Sequence, residues 1–259
     1  MDTADVQSLK PRIAVIMPAC NAQAYIETAI RSVQAQTLTD WELLVIDDCS
    51  QDQTARLVQR MALQDHRIRL AANEKNMGTA CSRNRGLELA QGCYVAFLDS
   101  DDRWHPTKLE KQLALAEEKN ADIVYTSYAI VDGDGKKRCP DFIVRQTTGL
   151  KAMLCRNEIG CSTVLLSPSM ASRYRFSEQY YHEDYALWLN MMQEGAVAAG
   201  VSDVLVDYRY HPNSRAANKL CSAKSRWRIY RDLLKLPLIT SGWYLARYAL
   251  NGIRKYRSR

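Results

Sequence analysis

Three carboxylates stand within four residues, Asp99, Asp101 and Asp102, directly after the apolar run Tyr94-Val95-Ala96-Phe97-Leu98. The run reads as a short buried strand introduced by Gly92. Acids this close repel one another, and at a strand's exit they call for a cation or a hydrogen-bonding ligand between them. Hard ions such as Mg²⁺ and Mn²⁺ take one or two carboxylate oxygens and share the rest with phosphate. The competing use is a helix N-terminus, with Asp as cap and dipole partner. On this stretch alone the two readings weigh equally. A second acidic pair, Asp47-Asp48, ends the run Trp41-Glu42-Leu43-Leu44-Val45-Ile46. A third, Glu183-Asp184, opens a segment with Leu187, Trp188 and Met191 at helical spacing. Acids at a helix start suit the helix dipole. Arg83, Asn84 and Arg85 open a further helix, where backbone N–H groups and guanidinium both favour phosphate. Solvated surface charge is the alternative, also for His211 and Arg215 after the last strand.

The elements that must position these groups alternate. Residues 12–17 form a strand stopped by Pro18, and residues 22–35 are helical, with Ile26, Ala29, Ile30 and Val33 on one side. Residues 41–46 form a second strand. Asp52 caps a helix over 53–64. A strand at 68–70, a loop at 73–78, a helix at 79–90, a fourth strand ending at Asp99, a helix near 106–119 and a strand at 123–125 follow. Such alternation predicts a parallel sheet covered on both faces, with ligands outside the C-terminal strand ends. Asp47, Asp48, Asp99, Asp101 and Asp102 then share one rim. No G-x-G-x-x-G and no G-x-x-x-x-G-K occurs, so neither a dinucleotide fingerprint nor a P-loop is available. The second half is less regular. It has an Asp-Gly hairpin turn at 131–136, a short helix near 149–156 and a strand at 162–166 ended by Pro168. The helix from Glu183 and strands at 197–201 and 204–210 complete it.

Composition is that of an ordinary soluble globular chain: 259 residues, 47% apolar and 25% charged, with a net charge of +6. Eight cysteines form no C-x-x-C pair, which argues against zinc and against a disulfide framework. They read as the reduced thiols of a cytoplasmic protein. The acidic, polar N-terminus reads as lacking a signal peptide, and no run of about eighteen apolar residues marks a membrane span. Residues 216–259 differ in kind. Eleven Lys and Arg face one acid, Asp232, with Trp227, Tyr230, Trp243, Tyr244, Tyr248 and several Leu and Ile interleaved. Pro237 divides the region into two helices. Basic faces bordered by Trp and Tyr fit a helix lying in an anionic membrane surface, where each nearby Lys or Arg adds about 1 kcal/mol. The alternatives are helices packed on the domain or a homo-oligomer contact. The acidic rim argues against nucleic acid as partner.

Six stretches occur in a fixed order. These are Ile13 to Asn21, Val45 to Asp52, Asn73 to Gly78, Ala80 to Gly86, Phe97 to Asp102 and Glu183 to Leu189. Together they resemble the family 2 glycosyltransferases of GT-A fold, bacterial enzymes of capsule, O-antigen and exopolysaccharide assembly. The resemblance spans residues 11–210. It implies an α/β fold with a Rossmann-like, mostly parallel sheet flanked by helices and a C-terminal helical appendage. Residues 11–215 would form the transferase domain, with a nucleotide-binding half at 11–127 and an acceptor-binding half at 128–215. It further implies a single-step, inverting transfer assisted by Mn²⁺ or Mg²⁺. The donor would be a nucleotide-sugar, most simply a UDP-sugar, and the acceptor a lipid-linked oligosaccharide at the inner face of the bacterial cytoplasmic membrane.

Carried over residue by residue, Asp47 matches the acid that hydrogen-bonds the nucleobase imide, with Asp48 beside it. Asp99 and Asp101 match the two acids of a D-x-D around Ser100, with Asp101 the direct metal ligand. Asp184 matches the catalytic base and Glu183 stands beside it. Pro18, Asn21, Asn76, Gly78 and Arg83 fall in the donor-binding stretches, and His211 and Arg215 in a loop that closes over the diphosphate. Cys20 stands where an aromatic residue commonly stacks on the base. Arg226-Trp227 occurs without the Gln of a processive Q-x-x-R-W, since Ala223 takes that position; this implies one addition per acceptor. The rival readings are a non-catalytic nucleotide-sugar-binding scaffold and transfer to polyprenyl phosphate itself.

Overall fold

The structure is a computed structural model that describes residues 10–211 and 219–257. The apolar runs expected as strands form one mixed sheet, β1 (Ile13–Ala19), β2 (Trp41–Asp47), β3 (Ile68–Ala72), β4 (Tyr94–Phe97), β5 (Arg103–Trp104), β6 (Ile123–Val131), β7 (Thr147–Thr148), β8 (Leu165–Leu166) and β9 (Ala198–Arg209). Their order is β3-β2-β1-β4-β8-β6-β9-β5, with β7 also on β9. β3, β2, β1 and β4 are parallel, as are β6 and β9, and the two-residue β8 joins the groups antiparallel to both neighbours.

Strand alternation divides the core in two. Ile13, Val15 and Met17 of β1 face one side, where α1 (Ile26–Gln34), α2 (Thr54–Gln64) and α4 (Lys108–Lys119) pack. Ala14 and Ile16 face the other, with residues of α3 (Thr79–Leu89), α5 (Leu150–Cys155) and α7 (Glu183–Gln193). Strands buried on both faces read as unbroken apolar runs, which is why these were legible. Gly86 lets α3 lie close on β1, since a Cβ there would fall 2.3 Å from Ile16 Cγ2.

Several boundaries differ from expectation. β1 runs through Pro18 to Ala19, in register with Ile46 and Asp47. The strands expected at 197–201 and 204–210 are one strand. The pairing of β9 with β6 shifts near Thr126 to Tyr128, so Ser202-Asp203 form an exposed bulge and not a turn. Pro168 starts a helix, α6 (Pro168–Arg173), with Ser167 as its N-cap. β5 and β7 are too short to carry a periodicity. The Asp-Gly turn forms as expected, with Asp132 N–H donating to Lys136 O at 2.9 Å and Gly135 at φ 84°.

Beyond α7 and β9 come α8 (Lys219–Arg228), a π-turn at Ile229–Leu233 and α9 (Leu238–Arg257). Pro237 separates the two helices as expected. Ile229, Tyr230 and Leu234 are buried in the same core as α7, so the appendage is packed on the domain through this turn.

Candidate active site

The register places the acids. Asp47 ends β2 opposite Ala19, and β4 pairs Phe97 with Ile16 on the other side of β1. Asp47 and Asp99 therefore emerge at the same sheet edge two strands apart, about 10 Å at usual strand spacing. Asp47 is buried; Oδ2 accepts from Ser50 N–H at 3.3 Å, while Oδ1 has no hydrogen-bond partner. A buried unpaired acceptor is costly unless a ligand supplies a donor.

Asp48 is spent internally. Its carboxylate accepts from Asn73 Nδ2 at 2.7 Å, Met77 N–H at 2.8 Å and Gly78 N–H at 2.8 Å. It thus ties the loop at 73–78 to the end of β2. Gly78 opens α3 at φ 84°, ψ 164°, a conformation that only glycine adopts without strain. Asn76 Nδ2 donates to Asp48 O and to Cys20 Sγ, each at 3.3 Å. Asn21, at φ 50°, accepts from Gln51 N–H at 2.8 Å through Oδ1 and donates its own N–H to Ser50 Oγ at 2.9 Å. The loops after β1, β2 and β3 are therefore stitched into one surface.

Arg83 joins the two remaining acidic stretches. Its side chain is 4% exposed and donates to Asp99 Oδ1 at 2.6 Å and to Glu183 Oε1 at 2.8 Å. Phe176 lies 5.3 Å from its guanidinium carbon. Burial works against its charge, yet Cys161, Asp99, Glu183 and Asp184 around it outweigh this and hold its pKa well above the ordinary value. Glu183, 100 positions from Arg83 in the chain, thus meets Asp99 at one guanidinium. Asn84 pairs reciprocally with the backbone of Phe176 at 2.8 Å, and Arg85 donates to Ala72 O and Asn73 Oδ1 at 2.6 Å. Both therefore brace the loops.

The acids after β4 divide their work. Asp101 is half-buried, and its Oδ2 lies 3.1 Å from His211 Nε2. Burial and the Asp99 charge raise its pKa. Asp102 is buried; it accepts from Ser162 Oγ at 2.5 Å and from Arg209 N–H at 2.8 Å. Burial above all, then Asp101 and Asp99, push its pKa well up. Ser100 lies half-buried in the turn between them. Arg209, which sequence reasoning did not single out, donates to Asp101 O, Asp132 O and Gly133 O, and its guanidinium stacks 4.5 Å from the Tyr25 ring. Its polar identity did not mark it, since β9 also carries Ser202, Asp203 and Asp207. Glu183 is buried on Arg83, whereas Asp184 is half-buried at the first turn of α7, where Oδ1 accepts from Tyr185 N–H at 2.7 Å. Arg215 lies outside the described residues.

Among the described residues no three His, Cys, Asp or Glu side chains converge as a ready-made metal cage. Asp101 and His211 nonetheless offer one hard oxygen and one imidazole nitrogen side by side. That donor set fits an ion that keeps phosphate and water as its other ligands.

Residues 14–178 match the family model described as Glycosyl transferase family 2. The chain is 36% identical over 246 residues to TuaG of Bacillus subtilis, a glycosyltransferase assigned to teichuronic acid biosynthesis, covering 95% of this chain and 98% of that one. It is 35% identical over 249 residues to WfgD of Escherichia coli, a UDP-Glc:α-D-GlcNAc-diphosphoundecaprenol β-1,3-glucosyltransferase, covering 94% of each. Staphylococcus aureus TarS residues 1–349, solved with UDP-GlcNAc, superposes with a TM-score of 0.73 at 21% identity, over 92% of this chain and 71% of that one. The backbone is thus of the glycosyltransferase kind that the six sequence stretches implied.

Proposed function

Since this chain is a member of glycosyl transferase family 2, we propose that it transfers one sugar from a UDP-sugar to a hydroxyl of an undecaprenol-diphosphate-linked saccharide during bacterial surface polysaccharide synthesis. The names of its relatives support this donor and acceptor class. The observation that carries the site assignment is the Arg83 bridge, which brings the acids after β4 and those opening α7 to one place.

In this reading residues 11–127 hold the donor and 128–215 shape the acceptor side. Asp47 Oδ1 takes the nucleobase imide N–H, filling its empty valence. Pro18, Asn21, Asn76 and Gly78 form the adjoining wall, and Asp48 keeps that wall in place. Asp99, Ser100 and Asp101 face the ribose and diphosphate. Asp101, with His211, would hold Mn²⁺ or Mg²⁺, which supplies positive charge to the departing diphosphate. Asp184 accepts the proton of the attacking hydroxyl as its oxygen bonds to the anomeric carbon and the carbon–oxygen bond to UDP breaks. One displacement inverts that carbon. Glu183 keeps Arg83 in place and does not touch substrate. The work is done at the cytoplasmic face of the membrane, where the acceptor's saccharide is presented.

The test is incubation with single nucleotide-sugars and a lipid-linked saccharide, read by mass spectrometry. A product heavier by one sugar residue, from a UDP-sugar and needing divalent metal, is expected. Donor binding with neither transfer nor hydrolysis would instead leave a binding protein.

A further inference from the structure

α9 carries apolar residues on two opposite faces, and only one is covered. Tyr244 and Leu245 pack on the core beside α5 and α7, Ser241 is fully buried, and Tyr248 stacks 3.8 Å from the buried Arg226 guanidinium. The same guanidinium lies 4.1 Å from the ring of Tyr185, the neighbour of Asp184. The opposite face holds Ile239, Trp243, Ala246 and Leu250, spaced i, i+4, i+7, i+11 as one helical stripe. Ile239 is 89% exposed, Trp243 51% and Leu250 57%. Leu238, next to Ile239 in the chain, is exposed as well. A contiguous patch of this kind marks an interaction surface.

Charge selects the partner. The whole chain has 35 Lys and Arg against 29 Asp and Glu, and residues 219–259 hold eleven of the former and one of the latter. The rest of the chain is therefore left with 24 against 28, a net of −4, while this segment carries +10. Lys235 is exposed just before the stripe, and Arg247 lies over Trp243 with its guanidinium 5.0 Å from the ring. A second copy would set one +10 segment against another. An anionic bilayer instead attracts the segment and repels the acidic body.

We infer that α9 docks in the plane of an anionic lipid bilayer through Ile239, Trp243, Ala246 and Leu250, with Lys235 and Arg247 at the headgroups. The apolar side chains enter the acyl boundary, and each cation strengthens binding about fivefold. Because the covered face of α9 stacks through Arg226 on Tyr185, docking holds the end of α7 that carries Asp184 beside the bilayer.

The test is flotation of the full chain with vesicles of phosphatidylcholine, with and without phosphatidylglycerol, at low and high salt. No donor or acceptor is needed, so the outcome is independent of the transferase reading. Binding is expected only to the anionic vesicles and weakens with salt. The Ile239→Glu/Trp243→Glu/Leu250→Glu variant, changed only at exposed positions, should bind at least about tenfold more weakly. Lys235→Gln/Arg247→Gln should bind about 25-fold more weakly. Equal binding to neutral vesicles, no binding to anionic ones, or unchanged binding by both variants would overturn the proposal. So would a concentration-dependent dimer that the triple variant abolishes.

Discussion

Replacing Arg83 by Met tests whether the acids of the site are held together by one buried cation. The side chain is 4% exposed and its partner Glu183 6%, while Asp99 is 30% exposed. Methionine keeps an apolar stem two atoms shorter and removes the guanidinium that faces the buried Glu183 carboxylate. Removing one partner of a buried pair costs about 3–5 kcal/mol, most of it the price of the stranded charge. At about 2–4 °C per kcal/mol for a chain of this size, melting should fall by roughly 6–20 °C. Adding Glu183→Gln to Arg83→Met removes the stranded charge and should recover more than half of the loss. Asp99, more exposed, rehydrates and contributes little. Urea unfolding of the wild type, both single variants and the double variant gives the coupling directly. A cost below about 1 kcal/mol for Arg83→Met, or no recovery in the double variant, would refute the reasoning.

Asp48→Ala leaves the Met77 and Gly78 N–H groups without their acceptor, at about 1–3 kcal/mol each; calorimetry should show weakened UDP binding as the loop at 73–78 loosens, and unchanged affinity would contradict its bracing role. Gly86→Ala drives a methyl into Ile16 and should cost about 1–3 kcal/mol in denaturant unfolding. Asp65 has its pKa held far below the ordinary carboxylate value, first by hydrogen bonds from Arg67. A depressed folded-state pKa gives stability that is present above about pH 4, the unfolded value, and is lost as pH falls through the folded one. Asp65→Asn should therefore flatten the acid limb of the stability–pH curve, and an unchanged limb would remove the assignment.

The strands of the first half were legible because each is an apolar run buried on both faces and closed by Pro, Gly or acid. The same logic found the rim on which Asp47 and Asp99 emerge. What escaped was set by tertiary contact. Two-residue strands such as Arg103–Trp104 have no period to read, and the bulge at Ser202-Asp203 imitates a turn in sequence. Asp48 reads as a ligand-facing acid beside Asp47, yet three loop donors occupy it. Glu183 and Asp184 are neighbours with opposite fates, one buried on Arg83 and one at a half-open helix end. Helical spacing alone does not distinguish them, since the difference lies in a guanidinium 100 residues away.

The measurement that bears most directly on the shared site is transfer by Asp184→Asn, assayed beside UDP binding by the same protein. A lost general base should lower the rate about 10²–10⁴-fold, with UDP affinity and melting temperature held near those of the wild type. Transfer at the wild-type rate would mean that the proton leaves by another route, and that the end of α7 is not where the chemistry occurs.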